Sequence, residues 1–159
     1  MNSSAYLTEK LNGYITGAYI YNKMGLTEQV ATTITIATPN PVRRFRFKNL
    51  DIECVKAYCM VYPDESLVPY LRLLDAIKDM KRIPGTTGQD IYNRVKSQYF
   101  NGYSLPELEK IVSLAKSYPP RVRKVVADIL GDIRQTVLQT EMAKTILPTT
   151  RFNLDYKTA

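Results

Sequence analysis

The spacing of the apolar residues changes from strand-like to helical near residue 67, and that change restricts the fold more than any other feature. Residues 31–38, ATTITIAT, are dominated by β-branched side chains, as a strand requires. Pro39-Asn40-Pro41 breaks this run. RRFRFK (43–48) then alternates strictly, with Phe45 and Phe47 on one face and Arg44, Arg46 and Lys48 on the other. Asn49-Leu50-Asp51 is expected to turn the chain into a third strand, IECVKAYCMVY (52–62), giving an antiparallel meander. From Leu67 the period becomes helical: Leu67, Tyr70, Leu71, Leu74, Ile77 and Met80 form one stripe, with Arg72, Asp75, Lys78 and Asp79 off it.

Further helices follow. Thr87 is placed to cap one over 90–100, and Ser104-Leu105-Pro106-Glu107 reads as a capping box opening the next. Pro119-Pro120 ends that helix and pre-sets another, carrying Val122, Val125, Val126, Ile129, Leu130 and Ile133. The expected fold is α+β: a small antiparallel sheet with helices packed on one face and a mostly helical C-terminal half. Residues 1–146 are expected to form a single domain, and 147–159 an extended tail that docks through Phe152 and Leu154.

Composition narrows the chemistry. With 159 residues, 45% apolar and 23% charged, the chain is of a size and balance to bury one core. It contains no histidine, which removes Ser-His-Asp and Cys-His sites and the commonest transition-metal ligand. Cys54 and Cys59 are too few for a zinc site and read as small buried hydrophobes. Asp75/Asp79 and Asp128/Asp132 are i,i+4 pairs that could hold a hard cation, yet basic neighbours make solvated ion pairs the simpler reading. GTTG (85–88) lacks the Gly-Lys-Ser/Thr of a phosphate loop. No catalytic constellation, metal site or cofactor is expected. The N-terminus lacks the apolar core of a signal peptide and no window is long enough for a membrane span, so a cytoplasmic protein is expected.

A net charge of +7, spread over both halves, favours nucleic acid or an acidic partner. The candidate binding residues are Arg43, Arg44, Arg46 and Lys48 on the basic strand, and Arg121, Arg123 and Lys124 in the first turn of a helix. There the macrodipole favours an anion over a cation. The strand has two readings: a partner-binding face, or an edge that uses charge to prevent edge-to-edge pairing. Twelve tyrosines accompany four phenylalanines and no tryptophan, suited either to core packing or to stacking on bases.

One segment resists assignment by period. In GYITGAYIYNKMGLTEQ (13–29), Thr16 is expected to cap a helix over 17–24 whose apolar side carries Tyr14, Ala18, Ile20, Tyr21 and Met24. Gly25 stands where a left-handed residue would end it. Followed by TTITIAT, LLDAIKDMKRIPG and SYPPRVRKVVADIL, this segment resembles the C-terminal domain of AbiEi-type antitoxins over about residues 12–135. The resemblance implies a non-enzymatic cytoplasmic antitoxin of a prokaryotic type IV toxin–antitoxin system, opposing a nucleotidyltransferase-like toxin encoded beside it. Members of this family, often described as transcriptional regulators, commonly begin with a winged helix-turn-helix that binds promoter DNA. The residues before Gly13 are too few to supply one.

Overall fold

The computed structural model describes residues 3–41, 43–59, 64–152 and 156. The chain divides into two compact units: Met1–Ala76 with Ile83–Gly85, and Ile77–Arg82 with Thr86–Ala159. Its α+β class and helical C-terminal half are as expected.

In the first unit, helix α1 (Ser3–Lys10) leads into strand β1 (Tyr14–Thr16), helix α2 (Ala18–Lys23) and strands β2 (Thr33–Thr38), β3 (Arg44–Phe47) and β4 (Leu50–Lys56). The sheet order is β1-β2-β4-β3. β1 is antiparallel to β2 and β3 antiparallel to β4, but β2 and β4 run parallel, so the sheet is mixed and departs from a simple meander. The chemistry of the strands explains the order. Ile52 and Cys54 of β4 are buried, so β4 takes the interior place beside β2, while Arg44 and Arg46 keep β3 at the wet edge. The expected turn at 49–51 also lies one residue earlier. Lys48 and Asn49 both have positive φ (48° and 68°), a two-residue turn whose twist suits a hairpin. Lys48 therefore sits in the turn, off the strand face assigned to it. The strand expected over 52–62 ends at Lys56, residues 57–59 being outside it, and 60–62 lie outside the described residues.

One sheet face carries Ile34, Ile36, Ile52 and Cys54, covered by Leu7 and Leu11 of the first helical segment, with Ile15, Tyr19, Phe45, Phe47 and Leu50 at its margin. The hydroxyl of Thr38 donates to the Leu11 carbonyl at 2.6 Å and ties β2 to the end of α1.

The segment 13–29 differs from expectation at its start. Tyr14–Thr16 is a strand, Gly17 precedes α2, and Thr16 caps nothing: its hydroxyl goes to Asp75. Gly17 has φ 80°, and a Cβ there would lie 2.6 Å from Cβ of Thr35 on the neighbouring strand. Only glycine lets the chain pass from β1 into α2 at that point. At the other end Gly25 has φ 77°, as expected. Gly25 N–H donates to Asn22 and Leu26 N–H to Tyr21, the paired bonds of a Schellman stop.

Helix α3 (Val68–Lys78) follows a 3-10 turn, Glu65–Leu67, and the division between the units falls within it. The second unit contains α4 (Gly88–Gln98), α5 (Leu105–Ala115), α6 (Pro120–Asp132) and α7 (Thr136–Ala143). The Thr87 cap and the Ser104/Glu107 capping box form as expected, although Leu105 is exposed. Helix α7 has no counterpart in the sequence reading. Arg134 takes the left-handed position (φ 64°) between α6 and α7, with Gln135 N–H bonded to Leu130, so no glycine marks the break. Of the tail residues, Phe152 is partly buried, Leu154 lies outside the described residues, and Tyr156 is buried.

Replacing Gly25 by valine should destabilise the fold by about 1 kcal/mol or more, because a β-branched residue clashes at positive φ. Gly17→Ala should be worse, since it adds a collision with Thr35. Thermal melts of both variants check this, and an unchanged melting temperature in either would refute that glycine's assigned role.

Candidate functional site

The basic strand presents two unlike faces. On one, the hairpin register places Arg44 opposite Glu53 and Arg46 opposite Asp51. Both pairs close, at 3.2 and 3.4 Å, and both arginines remain well exposed. Cross-strand acids therefore compensate these two cations, removing the mutual repulsion that the strand alone implied. They line a groove of roughly 410 Å³ with Thr33, Phe45, Asp51 and Ile52.

The opposite face is aromatic. The Arg43 guanidinium lies 4.7 Å from the Phe45 ring centre, and Lys48 Nζ lies 5.5 Å from that of Phe47. Tyr6 of α1 stacks on Phe47 at 5.7 Å with 12° between the planes, and Lys10 Nζ stands 5.6 Å from the Tyr6 ring. No ion pair among the described residues involves Lys10, Arg43 or Lys48. Sequence reasoning missed Tyr6 and Lys10. The available signal was two parallel i,i+4 pairs, Leu7/Leu11 facing the core and Tyr6/Lys10 beside them. Arg43 also bonds the Cys54 thiol; burial raises that thiol's pKa, with Arg43 opposing the shift. Neither cysteine forms a disulfide, and Cys54 is buried and Cys59 partly so.

The second basic cluster does not gather as a docking surface. Arg123 is spent on backbone carbonyls, donating from Nε to Tyr118 at 3.0 Å and from Nη1 to Thr145. Lys124 pairs with Asp128 at 3.0 Å. Arg121 is partly buried, with Nη2 enclosed and lacking a hydrogen-bond partner among the described residues. These contacts answer the unfavourable dipole position by giving two of the cations local acceptors.

One aspartate of each pair, Asp75 and Asp128, is buried, contrary to expectation, whereas Asp79 and Asp132 make the partly solvated ion pairs expected. Asp75 is only 2% exposed, and its Oδ2 accepts from Tyr14 Oη at 2.7 Å and Thr16 Oγ1 at 2.8 Å. One turn away, Arg72 donates from Nε to the Ile15 carbonyl at 2.8 Å. Burial lowers the Arg72 pKa, while the neighbouring Tyr14 and Asp75 favour its charged form. Asp79 behaves as expected, lying near Arg82 and Lys78. In the second unit, Asp128 is buried and accepts from Lys124 and, at 2.7 Å, from Tyr156 Oη. Asp132 accepts from Tyr92 Oη at 2.6 Å and from Lys96 at 3.2 Å. The Tyr92 and Tyr156 rings meet at 5.1 Å. Burial, then the bond to Asp132, raises the Tyr92 pKa far above its ordinary value. Among the described residues no three potential ligands gather as a metal site, and no helix is long and apolar enough to cross a membrane.

No protein-family model, curated protein or solved structure matches the chain.

Two outcomes follow from these networks. Asp75→Ala strands two buried hydroxyls and should destabilise by roughly 2–5 kcal/mol, whereas Asp79→Ala, at the surface, should change little; denaturant titration separates them. Tyr92 has its folded pKa raised, so its contribution to stability is present below about pH 10 and is lost as pH rises beyond it. Alkaline melts should therefore fall less steeply in Tyr92→Phe, and an identical slope would overturn this reading.

Proposed function

We propose that this chain is an antitoxin-type regulatory and interaction domain, non-enzymatic and cytoplasmic, that opposes a nucleotidyltransferase-like toxin. One observation carries the reading: two of the segments behind the resemblance are bonded to one another through residues of the first unit. Tyr14 and Thr16 of GYITGAYIYNKMGLTEQ donate to Asp75 of LLDAIKDMKRIPG, and Arg72, just before that segment, holds the Ile15 carbonyl. Thr27 donates to the Pro84 carbonyl at 2.6 Å. These residues build a fold element, with glycines used for close approach and helix termination, which suits a binding scaffold. The engagement of the close aspartate pairs by hydroxyls and cations supports a non-enzymatic role.

Co-expression with the nucleotidyltransferase-like protein encoded beside it tests the proposal. Growth should be restored, and no stable complex between the two is required, since antitoxins of this type act on the toxin's target or effect. Failure of the wild-type chain to rescue would overturn the reading. A second reading, a nucleic-acid-binding regulator module, is favoured by the net charge of +7 together with three cations beside the aromatic face of the hairpin that make no ion pair among the described residues.

A further inference from the structure

Resting on the second reading, we propose that the aromatic face formed by Tyr6, Phe45 and Phe47 binds single-stranded nucleic acid. Bases would stack on the exposed Tyr6 ring, and Lys10, Arg43 and Lys48 would take the phosphates.

Four observations carry this. The Tyr6 and Phe47 rings are nearly parallel and already stacked, and Tyr6 is 41% exposed, so its outer face continues a stack that a base can extend. The three cations lie beside the rings without carboxylate partners among the described residues, leaving their charge available to a polyanion. Lys48 is held by an exposed cation–π contact, Lys10 adds only a 3.3 Å hydrogen bond to the Tyr6 hydroxyl and Arg43 one to the Cys54 thiol, all neutral partners that a phosphate can replace. The arginines on the other side of the same strand are compensated by Glu53 and Asp51, so the free positive charge of this hairpin lies with the aromatics.

A duplex does not fit this arrangement. Its bases are already stacked and paired, and an exposed ring on a helix surface cannot reach their faces. The geometry of flat rings ringed by cations is that of single-strand binders, which combine sequence-tolerant stacking with backbone electrostatics.

Fluorescence anisotropy of a labelled oligothymidine and of a duplex of equal length, titrated at low and at physiological salt, tests the inference. Wild-type protein should prefer the single strand. Tyr6→Ala should weaken that binding about tenfold and Tyr6→Phe should retain it. Tyr6→Phe should melt like wild type, and Tyr6→Ala only a few degrees lower, having lost its stack on Phe47. Lys10→Gln and Lys48→Gln should each lower the salt slope by about 0.7, while Arg44→Gln should change affinity less than about twofold. Equal or tighter duplex binding, or Tyr6→Ala affinity equal to wild type, would overturn the single-strand assignment and leave the nucleic-acid reading standing. Absence of binding to either probe at low salt would overturn both.

Discussion

The buried carboxylate of Asp75 is the constraint around which the first unit is organised. A carboxyl group withdrawn from water needs hydrogen-bond donors, because leaving it unpaired costs several kcal/mol. Tyr14 and Thr16 supply them, and they can do so together only if residues 14–16 are extended, since alternate side chains of a strand share a face. Arg72, one helical turn before Asp75, grips the backbone of the same strand at Ile15. A strand of three residues is too short to be stable alone. Held from one side by α3 and paired on the other with β2, it becomes part of the sheet. The chain must then turn at once into α2, and Gly17 is the residue that permits it.

The same principle, acid groups satisfied by tyrosine hydroxyls and amines, recurs in the second unit at Asp128 and Asp132. Tyr156 is held there by its hydroxyl bond to Asp128 and its ring contact with Tyr92. The excess of tyrosine over phenylalanine thus has a physical use: a ring that packs in the core while its hydroxyl meets an aspartate, buried at Asp128 and exposed at Asp132. Net charge, by contrast, says little about where a surface acts. Of the seven cations singled out by sequence, Arg44, Arg46 and Lys124 are matched by acids and Arg123 by carbonyls. Arg43 and Lys48, with Lys10, remain over aromatic rings instead.

Much of the local structure was determined by the sequence by itself, because its causes are short-range. The β-branched run of β2, the helical stripes of α3 to α6, the Thr87 cap, the Ser104–Glu107 box and the left-handed Gly25 all depend on residues within a few positions of one another. Sheet order, the strand identity of 14–16 and the fate of each charge were decided only in three dimensions. They depend on partners far apart in sequence: Asp75 for Thr16, Glu53 for Arg44, Tyr6 for Phe47. Helix α7 was hidden for a related reason, since Arg134 adopts a conformation for which sequence normally signals glycine. A side chain's period shows which face it shares, but what that face meets is set by packing. That is why the alternation of the basic strand revealed its phenylalanine face and its arginine face, and yet not that Glu53 and Asp51 neutralise the latter.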